Sequence, residues 1–411
     1  MNATPPRHAP LTQFPQQDGE LLIGGIPLSR LAERVGQTPF YAYDRSAISE
    51  RVASLKAVLP ARVSLHYAIK ANPMPALLAY MAKLVDGLDV ASAGEMRAAL
   101  DSGMAAAEIS FAGPGKRPAE LRQAIAAGVL LNVESETELV RIAEASQALG
   151  LPARVALRVN PDFELKSSGM KMGGGPKPFG IDAERIPAAL AQLASLGMQF
   201  EGFHLFAGSQ NLQADAIIEA QSKSFELAMR LAADAPAPLR TLNLGGGFGV
   251  PYFPGEARLD IAPIGQHLHA LDAQLAQAHP TARLVLELGR YLVAEAGVYV
   301  CRVQDIKVSR GTTYLITDGG LHHHLAASGN FGQVIRKNYP ALLGNKASAV
   351  TEHRYNAVGP LCTPLDILGT DLELPPAEIG DLLVVLQSGA YGLTASPATF
   401  LSHPAIPEVL V

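Results

Sequence analysis

The chain has 411 residues, 48% hydrophobic and 17% charged, with a formal net charge of −5. This composition supports a large core and more than one domain, and excludes a chain kept unfolded by polarity. No basic stripe exists to favour nucleic acid, and no apolar run is long enough to span a membrane.

Two cysteines, Cys301 and Cys362, exclude a disulfide framework and predict a cytoplasmic protein. Residues 1–20 are polar and proline-rich, lack the order of a signal peptide, and predict a mobile tail. A strand-like piece near Leu21–Ile26 precedes a short helix and the run PFYAYD.

Strand candidates then begin near Val63, Leu88, Ile109, Val129, Ala153, Phe200, Leu239 and Ala282. Helical spacing fills the gaps at Pro75–Val85, Glu95–Leu100, Pro118–Ala127, Glu136–Leu149, Ala183–Leu196, Ala216–Ala233 and Ile264–Ala278. Pro118 and Ser135 suit helix starts, and Gly103, Gly128, Gly150 and Gly197 suit stops. Eight strands with interleaved helices predict an α/β fold, a (β/α)8 barrel of the TIM type, with a doubly wound sheet as the alternative. After about residue 294 strand-like pieces dominate: Val298–Val308, Thr313–Ile316, Ser348–Val358 and Leu382–Gln387. The expected organisation is a barrel over 45–293 and a β-sandwich or β-barrel domain from 21–44 and 294–411.

Barrels keep their chemistry at the C-terminal ends of the strands, and reactive residues collect there. Lys70 ends the first strand, Ser92 and Glu95 follow the second, and Arg158 ends the fifth. His204 and Ser209 lie in and after the sixth, Gly245, Gly246 and Gly247 follow the seventh, and Glu287, Gly289 and Arg290 close the eighth. Position alone does not separate a solvated loop lysine from one that forms a Schiff base. The three glycines shift the balance, because they let backbone N–H groups approach an anion and barrel phosphate sites favour these loops. They do not spell GxGxxG, which disfavours a dinucleotide fold. A lysine, a phosphate nest and a buried carboxylate together suggest pyridoxal 5′-phosphate.

These residues resemble the fold-type III pyridoxal-phosphate decarboxylases, the group of diaminopimelate, ornithine and arginine decarboxylases. The resemblance runs from about Pro39 to Val411 through YAIKAN (67–72), LDVASAGE (88–95), LRVNP (157–161), HLFAGSQ (204–210), GGGFG (245–249), ELGR (287–290), GPLCTPLD (359–366) and GAYG (389–392). It is strongest to the subgroup associated with exosortase gene clusters. It implies an alanine-racemase-like barrel, an amino-acid α-decarboxylase, and a head-to-tail homodimer with shared active sites.

By the same resemblance Lys70 bonds the cofactor and Glu287 pairs with the pyridine nitrogen. Ser209, Gly245, Gly246, Gly247, Gly289, Arg290 and Tyr391 hold the phosphate. Asp89, Glu95, Arg158 and His204 surround the lysine and ring. Cys362 enters from the neighbouring subunit as proton donor to Cα. Arg290, Arg336, Tyr339, Cys362, Thr363, Asp366 and Tyr391 are the expected substrate contacts.

Two departures bear on substrate. The histidine that stacks on the cofactor is replaced by Phe206, which stacks without hydrogen bonding. The acid that meets a distal amine after the cysteine is replaced by Thr363. Either Asp366 reads a distal amine, or the substrate has none; a substrate tethered to a carrier protein is a further alternative. The alternatives are a racemase sharing cofactor and lysine, disfavoured by Glu287, and a catalytically silent homologue acting through a protein partner. Without the resemblance Cys362 reads as a small buried hydrophobe and Glu287 as a partner for Arg290. Cys301 reads as core. Adjacent His322, His323 and His324 rarely converge on one ion, so no metal is expected; they suggest a substrate-side loop. The glycine-rich segment Ser167–Phe179 suggests a mobile lid or a slack connection.

Overall fold

The structure is a computed structural model that describes residues 6–163, 170–171, 173–333 and 336–411. The chain forms two compact units. One comprises Arg51–Gly249 and Leu259–Gly289; the other comprises Met1–Glu50, Val250–Arg258 and Arg290–Val411.

The larger unit is built on eight parallel strands: β1 (Ser64–Ala68), β2 (Gly87–Val90), β3 (Ile109–Phe111), β4 (Leu130–Val133), β5 (Arg154–Asn160), β6 (Gln199–Leu205), β7 (Thr241–Gly246) and β8 (Arg283–Leu288). Each pairs with the next, and β8 returns to β1 with Glu287 opposite His66. The sheet therefore closes, which decides for the barrel over the doubly wound alternative. Both faces of the strands are covered, so their apolar and their polar side chains alike are mostly buried.

Local chemistry fixes the connecting helices. Helix Pro118–Ala127 begins with proline at its first position, and Glu120 reaches back to accept the Arg117 N–H at 3.0 Å. It stops at Gly128, whose φ of 79° is left-handed, a conformation glycine adopts without penalty. Helix Glu136–Leu149 starts where Ser135 Oγ accepts the Glu138 N–H at 3.2 Å. Outside the barrel, leucine, isoleucine and alanine on the inner helix faces, such as Leu121, Ile125, Leu139 and Ile142, are buried. Each large apolar side chain buried in this way contributes about 1.5–3 kcal/mol.

The other unit contains an eight-stranded mixed sheet. Its axis is the thirteen-residue strand Gly297–Ser309, which pairs antiparallel with Phe40–Tyr43, Leu382–Val385 and Thr312–Thr317. Glu408–Leu410 adds in parallel to Phe40–Tyr43. Phe40, Ala42, Val298, Val300, Leu382 and Val384 form its core with Ile23, Leu28 and Leu31.

Phe14 joins this core at 5% exposure. The expected mobile tail is thus packed over its described part, where the Arg7 carbonyl accepts the Gly255 N–H at 2.9 Å and the His8 ring bonds the Asn338 carbonyl at 2.9 Å. An apolar residue outweighs the polar composition around it. Part of the expected lid (residues 167–169 and 172) lies outside the described residues. Of the remainder, Met170–Lys171 pairs antiparallel with Gly208–Ser209, and Asn160 holds the Gly174 N–H and the Gly175 carbonyl.

Candidate active site

The barrel lumen is polar. Alternate residues on the strands turn inward, and here they include His66 on β1, Asp89 on β2, Ser110 on β3, Asn132 on β4, Arg158 on β5, His204 on β6, Asn243 on β7 and Glu287 on β8. All eight are buried. Burial obliges such groups to pair, and they do. Asp89 Oδ1 meets His66 Nδ1 at 3.2 Å and accepts the Ser110 hydroxyl at 2.5 Å, while the Asn132 amide donates to Ser110 at 3.2 Å. Arg158 donates to Glu134 at 2.7 Å and lies 5.0 Å from the Phe179 ring. Glu134 also accepts N–H groups of Gly113 and Gly180, so it ties two loops to Arg158.

Glu287 ends the eighth strand and contacts His204 Nε2 at 3.1 Å. A carboxylate only accepts, so Nε2 carries the proton. Burial pushes the Glu287 carboxyl up, but His204 and the charges of Lys70 and Arg158 outweigh it and hold it well below the usual carboxylate range, at about 2. A depressed carboxyl stabilises the fold above its unfolded value. That contribution is therefore expected to fade as pH falls from about 4.5 towards about 2. Glu287→Gln should flatten the acid limb of a stability–pH curve; an unchanged limb would show that Glu287 is not held ionised.

Lys70 sits in the one-turn helix Ile69–Ala71 directly after β1, with Nζ 5.6 Å from the centre of the Phe206 ring. Glu95 lies half-buried after β2 and accepts the Ala91 N–H at 2.7 Å. Its carboxyl is raised by burial, and that rise is moderated by the Ala91 N–H and by Lys70. Among the described residues Asp89 Oδ2 and His204 Nδ1 are buried and make no hydrogen bond; in strand order they flank Lys70 and Glu287.

The glycines 245–247 bring three backbones together. A Cβ on Gly246 would lie 2.1 Å from the Glu287 carbonyl, one on Gly247 2.2 Å from the Gly208 carbonyl, and one on Gly245 2.8 Å from Phe206. Gly245 and Gly247 also take positive φ, 68° and 76°. Asn211 N–H bonds the Gly247 carbonyl at 2.9 Å, which seats the loop of Ser209 beside them. Gly246→Ala is expected to destabilise the barrel by about 1–3 kcal/mol or more through overpacking. A thermal melt checks this, and a midpoint equal to wild type would refute the close approach.

Gly289 fits against Ala71 Cβ and the Ala68 carbonyl, 2.9 and 3.1 Å from where a Cβ would stand. The other expected residues belong to the smaller unit and are described within it. Arg290 lies between aromatic rings, 5.4 Å from Tyr252 and 4.6 Å from Tyr391, and donates to the Tyr252 hydroxyl at 3.3 Å. Tyr339 is buried, its ring tilted against that of Tyr252 with centroids 4.7 Å apart. Arg336 donates to the Ile367 carbonyl at 2.6 Å, with Nε buried and unpaired. Cys362 is exposed, so the buried-hydrophobe alternative fails for it; Cys301 is fully buried, as expected of core. Asp366 is 2% exposed, and each of its oxygens already accepts a backbone N–H, Leu321 at 2.6 Å and Leu361 at 2.8 Å.

His322, His323 and His324 are buried, and the expected substrate-side loop is packed inside its own unit. The rings of His322 and His323 lie tilted with centroids 3.7 Å apart, and His324 Nε2 bonds Ser388 at 2.9 Å. Among the described residues no cluster of His, Cys, Asp and Glu is arranged to hold a metal ion.

The comparisons with known proteins fall on this geometry. The family described as pyridoxal-dependent decarboxylase, pyridoxal binding domain, matches residues 45–294. The chain belongs to the pyridoxal-dependent decarboxylases. A relative from Niallia circulans named L-glutamyl-[BtrI acyl-carrier protein] decarboxylase is 39% identical over 380 residues, covering 91% of this chain and 89% of that one. The diaminopimelate decarboxylase of Pseudomonas aeruginosa is 34% identical over 409 residues, covering 97% and 93%. The crystal structure of diaminopimelate decarboxylase from M. jannaschii with L-lysine superposes with a TM-score of 0.88 at 26% identity, covering 98% of this chain and 93% of that one.

This decarboxylase is thus a carboxy-lyase dependent on pyridoxal phosphate. The residues present fit that group. An ionised buried carboxylate suits a protonated pyridine nitrogen, a lysine stands after β1, and a run of three glycines after β7 has the composition of a loop that lets backbone approach an anion. Sequence reasoning passed over His66, Ser110 and Asn132, although a polar residue inside a short, otherwise largely apolar strand was a usable signal, and it passed over Glu134, which follows β4. Nothing in the sequence marked Tyr252.

Proposed function

We propose that the enzyme removes the α-carboxylate of an amino acid whose far end carries no ammonium, presented as an acyl group on a carrier protein. The observation that carries this reading is the commitment of Asp366 to two backbone N–H groups. Thr363, next to Cys362, offers only a neutral hydroxyl. A distal ammonium desolvated there would find no carboxylate from this turn, an expensive arrangement. The relative from Niallia circulans, named for a glutamyl group on an acyl-carrier protein, supports the same reading.

In this proposal pyridoxal phosphate supplies the electron sink for the pair released as carbon dioxide departs. Lys70 would hold the cofactor through its Nζ. Glu287, kept ionised, would hold a proton on the pyridine nitrogen, with His204 fixing the Glu287 carboxylate. Gly245, Gly246, Gly247 and Ser209 would bind the phosphate, and Phe206, Asp89, Glu95 and Arg158 would border the ring. The Cα–carboxylate bond breaks, and the Cys362 thiol of a second copy delivers the proton that Cα needs.

A head-to-tail homodimer is part of the reading. Phe331, Leu365, Phe400 and Leu401 are large, exposed apolar residues of the unit that carries Cys362, as an interface requires. Mixing Lys70→Ala with Cys362→Ala protein should recover activity that neither has alone; no recovery would overturn site sharing. A cytoplasmic location is supported by two unpaired cysteines. The cofactor domain is assigned to 45–293 and the β domain to 21–44 and 294–411.

Carbon dioxide release tests the substrate. Free meso-diaminopimelate, lysine, ornithine, arginine and glutamate are compared with glutamate thioesterified through its side-chain carboxyl to a carrier protein, which leaves the α-carboxylate free. Release from the tethered substrate alone is expected. Efficient release from a free diamino acid would overturn the proposal.

A further inference from the structure

We propose that Asp366 is the positioning residue for Cys362: it ties the cysteine turn into a fixed loop and anchors that loop to the segment leading into His322. The inference rests on the reading of Cys362 as proton donor.

Residues 359–366 form a closed turn. The Gly359 N–H bonds the Asp366 carbonyl at 3.1 Å, the Thr363 N–H bonds the Leu361 carbonyl at 2.8 Å, and the Asp366 N–H bonds the Thr363 carbonyl at 3.3 Å. The Asp366 side chain adds the link across the turn, through Oδ2 to the Leu361 N–H at 2.8 Å. Its other oxygen takes the Leu321 N–H at 2.6 Å, from a segment 45 residues away in sequence. Cys362 stands exposed at the rim of this construction, while Asp366 beneath it is 2% exposed.

The surroundings are shaped to admit a carboxylate. A Cβ on Gly320 would lie 2.2 Å from Asp366 Oδ1, and one on Gly359 would lie 2.4 Å from Oδ2. Two glycines thus clear the space that the carboxylate fills. Charge-assisted bonds to backbone N–H groups are stronger than neutral ones, so the ionised form of Asp366 holds both strands of chain at once. A proton donor misplaced by about 1 Å loses on the order of 10²-fold in rate, which gives the anchor its catalytic meaning.

Asp366→Asn keeps the volume but places an amide NH2 against one of the two N–H donors. With the substrate that the enzyme accepts, kcat should fall about 10–100-fold while KM stays within about threefold. Hydrogen exchange should quicken at the Leu321 or Leu361 amide, with the barrel unchanged. Gly320→Ala, which drives a methyl into Oδ1, should reproduce the kcat effect without touching Asp366. In a Cys362→Ala background Asp366→Asn should add nothing, since a positioning residue has nothing left to position. Full activity in a folded Asp366→Asn protein, or additive losses in the double variant, would overturn the inference. Full activity of Cys362→Ala would instead overturn the proton-donor reading on which it rests.

Discussion

Replacing Lys70 with alanine is expected to abolish decarboxylation, with a loss of at least about 10⁴-fold, the scale on which removal of a covalent group acts. The variant should fold normally, because Lys70 is exposed at the end of β1 while its neighbours Ile69 and Ala71 fill the core. The purified protein should also lose the visible absorbance of lysine-bound pyridoxal. The two readouts together separate a chemical role from a structural one. A Lys70→Ala protein that keeps the absorbance would place the cofactor on another amine and dismantle the assignment of the site.

Glu287→Gln is the second large effect. The amide preserves volume but removes the charge that His204, Lys70 and Arg158 hold in place. Losing one preorganised electrostatic partner costs roughly 10²–10³-fold in kcat. The cofactor should remain bound, since the glycines 245–247 and Lys70 are untouched, so absorbance should persist while turnover collapses. A Glu287→Gln enzyme with wild-type kcat would show that the carboxylate does not support the developing charge.

The barrel was legible because its strands are short apolar runs bounded by glycine and proline, and its helices carry caps that sequence displays openly, such as Pro118 and Ser135. The site was legible because strand ends collect Lys70, Arg158, His204 and Glu287. Other features depend on distant partners. Strand Ile367–Leu374 is absent from the expected strands; it contains Gly369 and Asp371, residues depleted in strands, and Asp371 takes a positive φ of 50°. The packing of Phe14 hangs on one aromatic residue in a polar stretch. The allegiance of Asp366 is set by Leu321, and no local pattern announces a hydrogen bond across that distance.

The excursion Val250–Arg258 has a consequence for how this enzyme can be recombined. The chain passes from one unit to the other at residues 50–51, 249–250, 258–259 and 289–290. The region that matches the family, 45–294, carries Pro251 and Tyr252. Their partners Gln387 and Tyr339 lie outside it, at 2.6 Å from the Pro251 carbonyl and 4.7 Å between rings. A cassette exchanged at the ends of that region would import a foreign Pro251–Tyr252 pair into a resident aromatic nest. The barrel is therefore not an interchangeable part, and substitution at residue 252 is coupled to substitution at 339.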